Sequence, residues 1–315
     1  KGRVFYEWPH SYRDENRKKY NTSILVGRDA FNGALLWDKK LDKSVGKYRA
    51  FVVEDERVYI DYNHGYLPNG DAGIQYGGPI NVLDAATGKF LRRLNEQARS
   101  DHLDHTIDLS MVGDTLIQIC RDTLYALNAE TGEQYWFREE GVARVGATSK
   151  ELGSGAYYCC PAIDREKQRL FVGVAKVINE KSGRIIHWEQ MEKILCLDLK
   201  NGEKIWESKP NGLYGISQMS YADDKLAMYY ATNFNGLKDL TYGYYSAVLD
   251  ASNGTVLWEH ARDWYKSDNV DIGSSSTRNF WLRDGSFFLT NAHYLMDIDK
   301  TSGQLNDFHE RGMHS

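Results

Sequence analysis

Cysteine is scarce in this chain. Four among 315 residues are too few for the disulfide framework that holds a small secreted fold together. A block of lysine and arginine is missing as well. With 39 basic against 44 acidic residues and a formal charge of −5, the chain lacks the electrostatic footprint of a nucleic-acid binder. No apolar run approaches the ~20 residues that a membrane helix needs, so no transmembrane segment is expected. No signal peptide is visible, and because the chain opens on Lys1 in the middle of a pattern it reads as a piece of a longer one. Phosphate-binding loops, Gly-x-Ser-x-Gly elbows and dinucleotide glycine sets are absent, and "GSGAYY" from Gly153 stands alone as a glycine-rich loop.

What the chain does contain is one sentence repeated. "LYALNAETGEQYW" (Leu124 to Trp136) is echoed by "VGRDAFNGALLW" from Val26, "INVLDAATGKFL" from Ile80, "ILCLDLKNGEKIW" from Ile194, "SAVLDASNGTVLW" from Ser246 and "LMDIDKTSGQLND" from Leu295. The turn glycines, Gly33, Gly88, Gly132, Gly202, Gly254 and Gly303, follow one another at 55, 44, 70, 52 and 49 residues. That is the spacing of propeller blades. Four residues before each glycine stands Asp29, Asp84, Asn128, Asp198, Asp250 or Asp299, whose side-chain oxygen can accept from the turn's own N–H groups, while the glycine supplies positive φ. Four residues after it stand Trp37, Trp136, Trp206 and Trp258, with Arg92 and Asp307 as departures. Each tryptophan is expected to wedge between neighbouring blades, where a buried indole of about 200 Å² stabilises by up to roughly 5 kcal/mol.

On these residues the chain resembles the PQQ-like, quinoprotein-type β-propeller repeat family over nearly its whole length. The resemblance implies an all-β fold of four-stranded antiparallel blades, about six of them visible; either these six close the ring through nonstandard pairing or, as the family's usual seven or eight blades favour, they belong to a larger ring. A hydrophobic content of 42% is enough for one large core, so residues 1–315 are read as a single propeller domain. Blade one, residues 1–41, lacks its inner strand: Gly2 to Trp8, "SILVGRD" and "ALLWDKK" supply only the outer three. Inner strands of the later blades are expected at Tyr48–Glu54, Thr106–Val112, Tyr157–Ile163, Ile216–Tyr221 and Thr277–Leu282. Short turns then fall on one rim. Long connections at 9–20, 63–79, 95–105, 138–156, 177–193, 233–244 and 260–275 fall on the other, with 177–193 read as an outward hairpin turning at Ser182-Gly183. Binding residues ride disproportionately on such loops.

Candidate ligand-binding residues on that rim are His64, Arg144, Cys159, Cys160, Trp188, Arg262 and Trp264. Aromatic platforms such as Trp8, Trp188 and Trp264 suit stacking on a sugar or a planar group, or else cover their own loops. Asp61, His64 and Asp71 offer an acid/base or cation set in a stretch whose Asn-Gly and Pro also spell turns. Arg144, Arg262 and Arg278 could receive an anion. Asp101, His102, Asp104 and His105 crowd one connection with the donors a divalent metal takes, in a spacing that also suits a solvated loop. Cys120 and Cys196 read as core. The adjacent Cys159 and Cys160 match the vicinal pair that the resemblance places against the quinone in dehydrogenase members, or are buried small residues. The dehydrogenases' stacking tryptophan, calcium-binding Glu/Asn/Asp set and catalytic aspartate are not found at recognisable positions.

The function expected is therefore a binding module or scaffold that recognises a protein or glycan through its loop-rich face. The alternative is a dehydrogenase using PQQ and calcium. The resemblance implies a periplasmic, cell-surface or secreted location.

Overall fold

The computed structural model describes residues 2–13, 17, 19–41, 51–61, 79–95, 106–120, 123–139, 156–179, 187–209, 216–232, 243–260, 279–283, 286–290 and 294–310. Two compact units divide the chain: Lys1–Glu139 with Arg144–Glu151, and Glu140–Ala143 with Leu152–Ser315. In the first unit, β1 (Arg3–Arg13), β2 (Lys19–Asp29) and β3 (Leu35–Leu41) form a three-stranded sheet. β4 (Phe51–Glu54), β5 (Arg57–Asp61), β6 (Ile80–Asp84) and β7 (Phe90–Leu94) form the second sheet, and β8 (Thr106–Val112), β9 (Thr115–Cys120), β10 (Thr123–Asn128) and β11 (Gln134–Glu139) the third. The second unit holds β12 (Ala156–Asp164) to β13 (Arg169–Asn179), β14 (His187–Asp198) and β15 (Lys204–Ser208); then β16 (Ile216–Ala222), β17 (Lys225–Thr232), β18 (Gly243–Asp250) and β19 (Val256–His260). Its last sheet is β20 (Asn279–Arg283), β21 (Ser286–Thr290), β22 (Tyr294–Asp299) and β23 (Leu305–Glu310). Every sheet is an antiparallel meander in chain order, which is the blade of a β-propeller. Among the described residues there is no helix long and apolar enough to cross a membrane.

The repeated turn between the third and fourth strands explains why the sequence keeps its pattern. In the second sheet, Asp84 Oδ1 accepts from the N–H groups of Ala86 and Thr87 at 3.0 and 2.8 Å, and the Gly88 amide donates to the Asp84 carbonyl at 2.8 Å. Both side-chain bonds recur at Asp29, Asn128 and Asp299, and the first of them at Asp198 and Asp250. Beyond each turn the register slips by one residue, leaving Leu36, Leu91, Tyr135, Ile205, Leu257 and Asn306 as the extra residue of a bulge. All six are exposed. The next residue in each strand is the wedge position, so the bulge sets which way that side chain points.

The indoles reach the following sheet. Trp37 Nε1 donates to the Ala85 carbonyl at 3.0 Å, Trp206 to that of Ala251 at 3.0 Å and Trp258 to that of Lys300 at 2.9 Å. In each case the acceptor is the residue after the turn's Asp. Trp37 lies over Gly88 and Trp206 over Gly254, so close that a Cβ on either glycine would stand 2.7 Å from the ring. These glycines are needed twice, for φ of +68° and +78° and for the space the ring occupies. Arg92, the departure from tryptophan, makes the corresponding bond: its guanidinium donates to the Ala129 carbonyl at 3.2 Å and pairs with Glu130 at 2.9 Å.

Among the described residues three cores lie around these bonds, each filled from two adjacent sheets. Phe5, Leu25 and Trp37 pack on Val58, Ile60 and Leu83; Tyr59, Ile80, Val82 and Leu94 pack on Leu109, Met111, Leu116 and Leu127; Phe171, Ile194, Cys196 and Trp206 pack on Met219, Leu226, Met228 and Leu249. Cys120 and Cys196 are buried, and burial pushes the Cys196 thiol up to about 12. Next to the last core, Arg169 makes two bonds to the fully buried Asp164 carboxylate, at 3.0 and 2.6 Å, and a third to the Ala251 carbonyl at 2.8 Å. Burial raises the Asp164 pKa, but the bonds from the Lys167 amide, Arg169 and Tyr221 prevail and hold it below the usual carboxylate value. A buried guanidinium is tolerable because every direction it faces holds an acceptor.

One expected connection turns out to be strand. Residues 9–20 were read as a loop, yet β1 and β2 pair without a break from Arg3↔Asp29 to Arg13↔Lys19. A polar hairpin running past the end of a sheet can be wet on both faces, so its lack of hydrophobic alternation does not forbid pairing. The outward hairpin at 177–193 is present as pairs up to Asn179↔His187.

Neighbouring residues on one outer strand should respond oppositely to truncation. Trp206→Ala should destabilise the protein by ~3–5 kcal/mol, whereas Ile205→Ala, at the exposed bulge, should stay within about 0.5 kcal/mol. Chemical denaturation of the two variants measures this.

Candidate functional site

Each sheet has a closed end and an open end. At the closed end of five of the sheets, the turn between third and fourth strands, or between β2 and β3 in the first sheet, is tied to the residue just before β1, β5, β9, β13 or β17: the amides of Ala30, Ala85, Ala129, Leu199 and Ala251 donate to the carbonyls of Gly2, Glu56, Asp114, Gln168 and Asp224 at 2.8–3.0 Å. Side chains reinforce this end from sheet to sheet. Arg3 pairs with Glu56, Arg57 and Arg92 converge on Glu130, Lys167 and Arg169 meet Asp224, and Lys300 holds Asp223 at 2.6 Å. The bonds from Arg92 and then Arg57 hold the Glu130 carboxyl below its ordinary value. An end so occupied with its own groups has few left for a ligand.

The open end carries the connections between second and third strands, and the segments that enter and leave each sheet. Among the described residues two hairpins lengthen it. β1 and β13 have eleven residues each where β5 has five; at about 3.3 Å per residue the six additional residues extend the ribbon by about 20 Å. Trp188 belongs to the second of these hairpins, in register opposite Ile178.

Of the sequence candidates, His64, Asp71, Asp101, His102, Asp104, His105, Arg144, Arg262, Trp264 and Arg278 lie outside the described residues. Trp8 is on β1 and exposed, with its ring edge-on to Tyr6 at 6.5 Å. Cys159 is on the innermost strand β12 opposite Gly173, and the register is interrupted between Cys159 and Ala162. Among the described residues no group of three or more His, Cys, Asp or Glu is placed to hold a metal ion.

Among the described residues the interruption at Cys159 is one of three. Innermost strands β8 and β16 lose register in the corresponding stretch, between Thr106 and Asp108 and between Ile216 and Gln218. Each falls toward the open end. Asp108 follows one of these bulges, and burial pushes its carboxyl up to about 6, opposed only by the hydrogen bond from the Leu109 amide, at 2.8 Å. Sequence reasoning passed over Asp108, because a lone aspartate in a strand carries no local signal. A carboxyl that changes charge near neutrality at the open end of an inner strand is the strongest chemical candidate among the described groups.

These sheets, wedges and turns define the class as a β-propeller of PQQ-type repeats. The chain belongs to the family whose model is described as "Outer membrane protein assembly factor BamB", which matches residues 21–219 and 76–261. No curated protein matches it. Among solved structures it is similar to BamB from Moraxella catarrhalis, with 14% identity, a TM-score of 0.55, and coverage of 96% of this chain and 76% of that one. It is also similar to Sqt1 of Saccharomyces cerevisiae, with 11% identity, a TM-score of 0.56 and coverage of 96% and 74%. KlHsv2 with loop 6CD replaced by a Gly-Ser linker gives 11% identity, a TM-score of 0.52 and coverage of 92% and 82%. At these identities the likeness is one of fold.

The direction of the Asp108 effect fixes a pH dependence. Its folded pKa lies above the unfolded value, so the native state binds the proton more tightly, and stability falls as pH rises from about 4 through 6. Asp108→Asn should therefore be nearly neutral at pH 4 and stabilising at pH 7.5, by about 1–3 kcal/mol. Denaturation of both proteins at the two pH values checks it.

Proposed function

We propose that the protein is an extracytoplasmic, noncatalytic propeller scaffold that binds a partner protein through the open ends of its sheets. The observation that carries this reading is the difference between the two ends: one is closed by turn-to-turn bonds and ion pairs, the other lengthened by two projecting hairpins. The family description, which concerns outer-membrane protein assembly, supports a protein partner over a glycan and a location outside the cytoplasm. His64, Arg144, Cys159, Cys160, Trp188, Arg262 and Trp264 are the proposed contact residues, since all fall in or beside the connections of the open end. Asp101, His102, Asp104 and His105 share one of those connections, and their proposed role is polar contact.

A photoreactive residue placed at Trp188 should capture a partner protein in cells, and one placed at Glu133, on the closed end, should not. Capture at 133 alone would place binding on the wrong face. Incubation of the purified protein with PQQ and Ca²⁺ should give no dye-linked alcohol or sugar oxidation; turnover would replace the scaffold reading with the dehydrogenase one.

A further inference from the structure

Three of the repeat turns carry an asparagine directly before their glycine: Asn32-Gly33, Asn201-Gly202 and Asn253-Gly254. In the other turns Thr87, Thr131 or Ser302 stands there. The position has one structural task, which either kind of side chain performs. Its oxygen accepts from the amide two residues on, from Ala34 at 2.8 Å, Glu203 at 2.9 Å and Thr255 at 2.8 Å, and Thr87, Thr131 and Ser302 make the same bond at 3.3, 3.1 and 3.3 Å. Asn69, Asn211 and Asn235 also precede glycine and lie outside the described residues.

Asparagine adds a reaction that a hydroxyl does not. A glycine carries no Cβ to crowd its own nitrogen, so that nitrogen, once hydroxide has taken its proton, can attack Cγ of the preceding asparagine. The new C–N bond closes a five-membered succinimide, the Cγ–Nδ2 bond breaks and ammonia leaves. Water then opens the ring at either carbonyl, giving aspartate or isoaspartate. Each conversion consumes one water and releases one ammonia. The step requires the glycine N–H to leave its hydrogen bond and meet solvent, which is a local opening of the turn.

The three turns share that hydrogen bond and differ in their cover. The amides of Gly33, Gly202 and Gly254 donate to the carbonyls of Asp29, Asp198 and Asp250 at 3.0, 2.9 and 2.8 Å. Gly202 and Gly254 are buried. The Trp206 ring lies over Gly254, 2.7 Å from where a Cβ would stand, and the Ser208 hydroxyl holds the Gly254 carbonyl at 2.7 Å. Asn32 and Gly33 are exposed, and no atom lies within 4 Å of where the Gly33 Cβ would stand. Charge differs too. The residue before the turn's Asp is the buried Leu197 or Leu249 in the covered turns. In the open one it is Arg28, whose Nη1 donates to the Gly33 carbonyl at 2.7 Å. A cation so near favours the anionic nitrogen that begins the reaction.

From this we infer that Asn32 is a modification site of the folded protein, converted by spontaneous deamidation while Asn201 and Asn253 are shielded. Either product places a new negative charge beside Arg28. The site lies at the closed end, apart from the open ends proposed for partner binding.

The test holds the purified, folded protein at mildly alkaline pH, digests samples with trypsin at intervals and follows deamidation by mass spectrometry. Peptides 29–39, 201–204 and 239–262 contain one amide side chain each, so the mass gain in each belongs to a single residue. In the folded protein Asn32 should convert about tenfold faster than Asn201 and Asn253, and in urea, where the cover is gone, the three rates should agree to within about threefold. Equal rates in the folded protein, or a ratio that urea leaves unchanged, would overturn the inference. Asn32→Thr keeps an acceptor for the Ala34 amide, as Thr87 and Thr131 provide in their turns, and should abolish the gain in peptide 29–39. A gain that persists there in this variant would overturn the assignment as well.

Discussion

The hydrogen bond from an outer-strand indole to a turn carbonyl on the next sheet is the contact on which the architecture depends. By itself it contributes about 1 kcal/mol, but it fixes how two sheets face each other, and the cores can form only in that arrangement. The acceptor lies in a turn held by its own Asp, and the ring rests on the glycine of the same turn. Turn, glycine and tryptophan are thus one unit shared between two blades. This accounts for their recurrence at fixed offsets while the connections between them vary freely in length. Arg92 shows that the requirement is for a donor on a long side chain, since its guanidinium reaches the same carbonyl without an indole.

The fold was legible because its determinants are local. Asp84, Gly88 and the tryptophans act within a few residues of their place in the repeat, so their spacing survives in sequence. The bulge at Leu36, Leu91, Tyr135, Ile205 and Leu257 was not legible, since an apolar residue beside a tryptophan reads as core until the register shows it turned outward. The pairing of residues 9–13 with 19–23 was missed for the converse reason: the polar residues there carry no hydrophobic alternation. The candidate site was legible only as a set of loops. Which side chains converge across connections distant in sequence is a property of three dimensions, and no periodicity reports it. Asp108 illustrates this, because its altered titration comes wholly from what surrounds it.

Charge follows the same division of labour. The ion pairs at the closed end are mostly exposed, so each contributes little alone. Their value is directional, since each joins one sheet to the next at a level where the backbone is already tied. Arg169 and Asp164 form the exception, buried and multiply bonded beside Phe171 and Tyr221, whose rings stack at 5.5 Å. There the polar group is part of the core and its geometry is fixed on all sides.

The outward bulge on the outermost strands has a further consequence for the molecule in a crowded solution. An outermost strand carries a row of unpaired amides and carbonyls, and a flat one would template addition of another strand, the first step of edge-to-edge aggregation. An extra residue in the middle of β3, β7, β11, β15, β19 and β23 breaks the even spacing of those groups and increases the local twist. An incoming strand can match the edge on one side of the bulge but not across it. The device that aims the tryptophan inward thereby also limits runaway growth at the periphery, and it does so with an exposed aliphatic or aromatic side chain at five of the six positions, in place of the charge that commonly protects an edge.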